Sequence, residues 1–215
     1  MNFKGNKQMN AYKKAMQWLT KEALLQKLPL PNKWLTVENE LYKDIGGNVY
    51  LVPRLYISDN YTIPDWIAWL CGNKSKFDGR ASHIHDFGCQ FHQLIKVTLT
   101  VDELLQMGFL EYKNGYYTCN DIPVEYLTLV SVTKWEIDCL FKRAMKATGF
   151  IPPMTYNLFR CGVFFNVGWL CKYSQFDLDK IYTIEQNGKE AESLLKLIQE
   201  QKLELGERSL IRRNK

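Results

Sequence analysis

The three histidines of the chain lie within ten residues of one another, at His83, His85 and His92. Asp86 lies among them, and the pattern of the segment 80–96 predicts a helix. A buried carboxylate must be paired, hydrogen-bonded or bound to a metal, because the desolvation of an unpaired charge is very costly. A fold that buries this helix must therefore satisfy Asp86 in one of these ways.

The composition indicates a folded protein with an ordinary core. Of the 215 residues, 46% are hydrophobic and 13% are aromatic, which is enough to bury the core of a single domain with appendages. The net charge of +5 would attract phosphate or acidic surfaces weakly, and it is too small for a dedicated nucleic-acid binder. No nucleic-acid partner is predicted beyond this weak basic charge.

The six cysteines form no Cys-x-x-Cys pair, so their spacing contains no zinc-finger motif. The N-terminal residues are polar, and no apolar secretory signal follows them. These two features predict reduced, mostly buried thiols in a cytosolic protein. No apolar run reaches the roughly 18 residues of a membrane span, so no membrane-spanning helix is expected.

Periodicity and turn residues predict the N-terminal elements. Apolar residues at helical spacing predict an amphipathic helix over 9–28, which Pro29 would end. Strand-like runs on both sides of Gly46-Gly47 predict a β-hairpin. Pro64 would begin a short helix that carries two tryptophans.

The C-terminal half is expected to contain helices around one more hairpin. Thr100 would cap a short helix, and a turn at 113–115 predicts the hairpin. Three further helices are expected, at 123–149, 154–173 and 188–204. The expected fold is therefore α+β: a mostly helical single domain with a small antiparallel β-hairpin or sheet in its N-terminal third.

Three aspartates occupy positions where acids are unusual. Asp59 follows a strand, Asp86 lies in the histidine-rich helix, and Asp138 shares a helix face with apolar side chains. With His85 they offer the mixed imidazole and carboxylate ligands that suit zinc, manganese or iron. The pattern predicts a divalent metal, zinc or manganese, held by His85, Asp86 and Asp138, with Asp59 as a further ligand or general base. A metal-bound water would then be a hydrolytic nucleophile.

Two other interpretations of the same segment stay open. His85, Cys89 and His92 fall on one helical face and would form a softer zinc site, although a single helix supplies three ligands poorly. Alternatively the cluster is structural, with its imidazole and carboxylates paired to buried backbone groups, arginine or lysine. In each case His83 is expected either at the surface or in contact with the site residues without taking part in the site itself.

Three blocks of sequence follow one another in an informative order. They are 52–64, which contains Ser-Asp-Asn-Tyr-Thr-Ile-Pro; 80–87, which ends in His-Asp-Phe; and 134–149, which contains Ile-Asp-Cys-Leu-Phe before Ala-Met and Gly. In residue type, order and approximate spacing they resemble the phage and prophage family known as domain of unknown function 1353. The resemblance covers about residues 34–168, and Ser58 and Ile137 depart from the family's usual Thr and Ala.

The resemblance implies a phage or prophage protein with a core domain over 34–173 and a hairpin insertion at about 100–120. Residues 1–33 would be a helical extension, and residues 174–215 a polar helix with a basic tail. The family's acids and its His-Asp pair form its polar core, and in this chain they are Asp59, His85, Asp86 and Asp138. These four residues are therefore expected to lie together in space.

Two functions follow as hypotheses. The first is a metal-dependent hydrolase that acts on a phosphate ester or a cell-wall bond. The second is a non-enzymatic virion, assembly or host-interaction protein, in which the polar cluster is structural and the aromatic hairpin at 109–117 binds the partner. That partner would be another phage protein or a host protein, and the location would be the host cytoplasm, or the virion for a structural component.

Overall fold

A computed structural model describes the central part of the chain. Its described residues are 16–20, 25–27, 34–58, 79–113, 116–148 and 175–183, with the backbone path alone for 25–27. Several predicted elements lie outside these residues, namely the short helix after Pro64, the helices at 154–173 and 188–204, and the basic tail.

Short strands form three antiparallel sheets in the described part of the chain. The strands are β1 Gln17–Trp18, β2 Leu25–Lys27, β3 Trp34–Thr36, β4 Glu40–Lys43, β5 Val49–Val52, β6 Ile57–Ser58, β7 Gln93–Val97, β8 Leu110–Lys113, β9 Tyr116–Cys119 and β10 Leu127–Ser131. The largest sheet has the order β1-β4-β5-β7-β10, and its neighbouring strands are all antiparallel. β3 joins β2 and β6 in a second sheet, and β8 pairs with β9 in a third.

Three α-helices accompany the sheets over the same described residues: α1 Arg80–Phe91, α2 Val101–Gln106 and α3 Lys134–Thr148. The expected mostly helical α+β domain, with a small sheet confined to its N-terminal third, is therefore wrong. The five-stranded sheet draws on both halves of the described region, because β7 and β10 add to the N-terminal hairpin. None of the described helices is long and apolar enough to cross a membrane.

The predicted helix over 80–96 is wrong in its second part, where a strand directly adjoins the helix. α1 ends at Phe91, His92 takes the left-handed conformation with a φ of 52°, and the chain continues as β7. Glycine is the usual residue at such a helix end. Because a histidine replaces it here, no stop signal marked the boundary in the sequence.

The predicted helix over 123–149 is likewise a strand followed by a helix. Leu127–Ser131 forms β10, and α3 begins at Lys134. A capping box separates the two elements: Thr133 N donates to Glu136 Oε2 at 2.7 Å, and Glu136 N donates to Thr133 Oγ1 at 3.3 Å. The Thr-x-x-Glu spacing of this box was available in the sequence, and it marks the boundary that the apolar periodicity obscured.

The predicted N-terminal helix over 9–28 is wrong in the residues that the structure describes. Its Gln17–Trp18 segment pairs with β4, and β2 pairs with β3. The indole of Trp18 packs on Tyr42 with ring centroids 5.1 Å apart, and its Nε1 donates to Ala144 O at 3.2 Å. These long-range contacts favour a strand over the helix that local periodicity predicts.

Both predicted hairpins are confirmed. β4 and β5 flank the Gly-Gly turn, where Gly47 has a φ of 82°, a conformation that favours glycine. The carboxylate of Asp44 holds this turn, because it accepts hydrogen bonds from Asn48 N and Nδ2 at 2.9 and 3.1 Å. β8 and β9 pair on the two sides of 114–115. The predicted cap of α2 by Thr100 is also confirmed.

Helices α1 and α3 pack against each other, as predicted for the helices that carry His85 and Asp138. Both helices also contact the five-stranded sheet. Leu41 lies opposite Leu51, and Leu51 lies opposite Ile95, so these three side chains share one face. Glu40 alternates with Leu41 and therefore points to the other face, where it contacts α1. The helices thus cover a face of the sheet that contains a buried acid.

Gly88 permits the close approach of α1 to α3. A Cβ atom at this position would meet Ile137 Cδ1 and lie 2.6 Å from Ile137 Cγ1.

We expect Gly88→Ala to lower the free energy of unfolding by about 1–3 kcal/mol through overpacking, as measured by chemical denaturation. Ile137→Ala makes room for the added methyl group, so the double variant should lose less than the sum of the two single losses. Additive losses would contradict this contact.

Candidate functional site

A polar cluster lies at the contact between α1 and α3. His85 Nε2 is 3.1 Å from Asp138 Oδ1, so a buried imidazole and a buried carboxylate from the two helices are hydrogen-bonded. Asp138 Oδ2 accepts a second hydrogen bond from Lys134 Nζ, one helical turn earlier, at 2.7 Å. The ring of His85 packs on Phe141, with ring centroids 4.8 Å apart. The inward orientation predicted for Asp138 is therefore confirmed.

Asp86 lies at the other nitrogen of the same imidazole. Its Oδ1 is 3.7 Å from His85 Nδ1, and its Oδ2 accepts a hydrogen bond from Ser58 Oγ at 2.7 Å. The side chain of Asp86 is 24% exposed, whereas those of His85 and Asp138 are 5% and 4% exposed. The cluster is thus closed at Asp138 and nearer to solvent at Asp86. Asp59, the fourth predicted site residue, lies outside the described residues, so the ligand set that includes it stays a prediction.

The described side chains do not fit a single metal ion. Asp138 contacts Nε2 of His85 and Asp86 faces Nδ1, so the two carboxylates approach different nitrogens of one ring and do not converge on one position. His92 follows the last residue of α1 with a left-handed backbone, which takes it off the helical face of His85 and Cys89. Over the described ranges, no group of three His, Cys, Asp or Glu side chains could hold a metal.

The cluster sets the protonation of its own members. Burial by itself would lower the pKa of His85, but the hydrogen bond to Asp138, with further ones to Asp86 and Cys89, raises the pKa of His85 well above its usual 6.5. Burial would raise the pKa of Asp138, but the hydrogen bonds from His85 and Lys134 hold that pKa below its usual 3.8. Both shifts favour the charged form of each partner, an imidazolium beside a carboxylate.

A second buried imidazole–carboxylate pair lies on the sheet side of α1. His83 Nδ1 is 2.9 and 3.1 Å from the two carboxylate oxygens of Glu40 on β4, and both side chains are almost fully buried. His83 is therefore buried and not at the surface, one of the two places expected for it. The sequence analysis did not predict its pairing with Glu40. An acid that alternates with apolar residues in a strand is typical of a solvent-facing position, so no local signal distinguished Glu40.

No family model, curated protein or solved structure matches the chain. The resemblance to domain of unknown function 1353 therefore rests on the three sequence blocks, and the phage origin stays a prediction.

The chemical capacity of the site follows from its geometry. An imidazole that a carboxylate holds at one nitrogen can exchange a proton at the other.

The Glu40–His83 pair should contribute strongly to stability. We expect Glu40→Ala to lower the free energy of unfolding by about 1–3 kcal/mol, because it removes the hydrogen-bond partner of the buried His83 Nδ1. Chemical denaturation at pH 6 measures the loss, with Glu125→Ala as the control, since Glu125 is an exposed acid. If the two variants lost the same small amount, the pair would contribute nothing beyond a surface acid.

The two pKa shifts make stability depend on pH in a defined sense. The pKa of His85 is raised, so its contribution is complete below the unfolded value of 6.5 and is lost as pH rises through the folded pKa. The pKa of Asp138 is lowered, so its contribution is present above 3.8 and is lost as pH falls through the folded pKa. We expect the stability difference between the wild type and His85→Gln to be largest between these two unfolded values.

Urea denaturation at a series of pH values measures this difference. Control measurements use Lys146→Gln, an exposed position on α3, whose difference from the wild type should show no such maximum. A wild-type advantage over His85→Gln that persists unchanged at strongly alkaline pH would contradict the ion pair.

Proposed function

We propose that this chain is a phage or prophage hydrolase in which His85, held by Asp138, moves the proton of an attacking water. The proposal is carried by the 3.1 Å contact between His85 Nε2 and Asp138 Oδ1 across two helices. A carboxylate at one ring nitrogen fixes the tautomer and the orientation of an imidazole, which leaves the other nitrogen to exchange protons. Here the other nitrogen is Nδ1, on the side of the partly exposed Asp86.

The composition of the helix contact supports a functional interpretation. Apolar side chains hold helices together at least as well as buried ion pairs do, because desolvation offsets much of the attraction between the charges. At this contact Asp138 nevertheless accepts hydrogen bonds from both His85 and Lys134. A buried imidazole whose pKa is strongly shifted by specific partners is typical of catalytic sites.

The proposed reaction assigns one role to each side chain. Neutral His85 takes a proton from water at Nδ1 while the water oxygen attacks the ester, phosphodiester or cell-wall bond, and the imidazolium then returns that proton to the leaving oxygen or nitrogen. Asp138 stays ionised and stabilises the imidazolium, and Lys134 keeps Asp138 in place. Asp86, at the more exposed end, would orient the water.

The test is whether the full-length protein hydrolyses any of three probes. They are p-nitrophenyl acetate for carboxylic esters, bis(p-nitrophenyl) phosphate for phosphodiesters, and purified peptidoglycan for cell-wall bonds. We expect one of them to be hydrolysed with a kcat/KM that rises as pH increases through the raised pKa of His85, because His85 must lose its proton to act as a base. His85→Gln and Asp138→Asn should each lower this value by about 10²–10⁴-fold. Lys146→Gln is the control and should leave it unchanged.

Asp138→Asn keeps the size of the side chain, so its free energy of unfolding is measured beside its activity. A large loss of activity with a small loss of stability supports the dyad, since the amide would favour the wrong imidazole tautomer. The proposal fails if the wild type hydrolyses none of the three probes, or if His85→Gln retains the wild-type rate.

A second candidate function is supported by the burial of the same cluster. Its members His85 and Asp138 are nearly closed to solvent, and a closed, hydrogen-bonded cluster is typical of a structural role. The protein would then be a non-enzymatic virion, assembly or host-interaction component. Tyr112 of the β8–β9 hairpin is 63% exposed and packs on Tyr117 with ring centroids 4.9 Å apart, so it would contact a phage or host partner.

The two candidates differ in what Asp138→Asn changes. For the structural component this variant would lose about 3–5 kcal/mol of stability, and none of the probes would be hydrolysed. The proposed location is the host cytoplasm for the hydrolase and the virion for the structural component.

A further inference from the structure

β10 is an edge strand of the five-stranded sheet. It pairs with β7 on one side, and among the described residues no strand pairs with its other side. An open strand edge presents backbone N–H and C=O groups that can form hydrogen bonds with a further strand. The open edge of β10 is therefore a candidate interaction surface.

Hydrogen bonds at both ends of β10 show which of its backbone groups point outwards. Just before the strand, Thr98 N donates to Tyr126 O at 2.9 Å, and just after it, Val132 N donates to His92 O at 3.0 Å. Alternate residues of an antiparallel pair exchange hydrogen bonds, so the even-numbered residues of β10 bond to β7. The odd-numbered residues point their backbone groups away from β7, and they are Leu127, Leu129 and Ser131.

Turns at both ends limit this open edge to the five residues of the strand. Leu127 N donates within the short 3₁₀ turn that precedes β10. Thr133 N donates to the capping box of α3. The groups that can bond to a further strand are therefore the carbonyl of Leu127 and the N–H and C=O groups of Leu129 and Ser131.

β10 lacks the features that protect edge strands from pairing. Protected edges are short, or they carry lysine, proline or a bulge. The sequence of β10, Leu-Thr-Leu-Val-Ser, has no charge and no proline, and its register with β7 is unbroken. By contrast, β1 at the other edge of the sheet has two residues, and β8 of the separate hairpin carries Glu111 and Lys113. The contrast indicates that β10 pairs with another strand.

We propose that the edge of β10 pairs with the same edge of a second copy of this chain, antiparallel about a two-fold axis. The open groups are complementary to themselves when Leu129 lies opposite its counterpart. Each Leu129 N then donates to Leu129 O of the second copy, and each Ser131 N donates to Leu127 O. The Ser131 carbonyl lies opposite Leu127 N, which the 3₁₀ turn already uses, so every open donor is bonded.

The side chains of β10 fit the same pairing. On one face the two Leu129 side chains meet at the axis, and each is half-buried against the core of its own chain. On the other face Thr128 lies next to Val130 of the second copy. A two-fold axis brings identical groups together, and like charges on facing strands are destabilising. Because β10 carries no charge, a second copy fits this edge without repulsion.

The first test measures the mass of the full-length protein by sedimentation equilibrium at increasing protein concentration. We expect a monomer–dimer equilibrium. Ser131→Pro should raise the dimer Kd at least about tenfold, because it removes one hydrogen bond in each copy. The ladder between β10 and β7 keeps its bonds, since Ser131 N points away from β7. Ser131→Ala is the matched control, which keeps the N–H group and should keep the wild-type Kd.

Thr128→Lys provides a second variant, in case the proline disturbs the fold. The Thr128 side chain is exposed, so the chain should fold as before, which circular dichroism checks. The added charge would lie beside Val130 of the second copy, so this variant should also weaken the dimer. A wild type that stays monomeric at every concentration would overturn the proposal. A dimer that either folded variant leaves intact would also overturn it, because another surface would then hold the two copies.

Amide hydrogen exchange, followed by NMR below and above the dimer Kd, tests the register. The amides of Leu129 and Ser131 should exchange fast in the monomer and slowly in the dimer, whereas those of Thr128 and Val130 bond to β7 and should be protected in both. Protection of Leu129 and Ser131 in the monomer would contradict the open edge, and fast exchange in the dimer would contradict the pairing. No readout uses hydrolysis, so the dimer and the proposed hydrolase can fail separately.

Discussion

The position of α1 depends on two buried imidazole–carboxylate hydrogen bonds that its histidines make in different directions. His83 contacts Glu40 on the sheet, and His85 contacts Asp138 on α3. A buried polar group left without its hydrogen bond at either place would cost far more free energy than a bonded one. Because both pairs must form at once, they allow one rotation of the helix about its axis, and that rotation determines which side chains face α3.

The apolar contacts around these pairs provide most of the free energy of packing, since burial of large side chains is the main favourable contribution to folding. Phe87 and Phe91 of α1 lie 4.7 Å apart by ring centroids, and Phe176 packs 5.0 Å from each. Aromatic and aliphatic contacts tolerate small rotations, whereas a buried hydrogen bond does not. The two buried pairs therefore select the rotation of α1, and Gly88 permits the close helix contact on which the Asp138 pair depends.

The chemistry proposed for the site follows from the same arrangement. One end of the dyad is closed by Lys134 and Asp138, and the other end approaches solvent at Asp86. The carboxylates that raise the pKa of His85 also fix its orientation, so proton transfer would occur at one defined nitrogen.

The sequence by itself determined the features that depend on near neighbours: the Gly-Gly hairpin, the cap at Thr100 and the inward face of Asp138. Turn and cap geometry is set by residues three or four apart, so a local pattern predicts it. Only the tertiary structure decided that Gln93–Val97 and Leu127–Ser131 are strands, because their pairing partners lie far away in the chain. It also decided that Glu40 pairs with His83, across 43 residues, since burial of a strand residue depends on which helix covers the sheet. The placement of Asp86 and Asp138 at different nitrogens of His85, which separates a dyad from a metal site, was fixed in the same way, by the rotation of one packed helix against another.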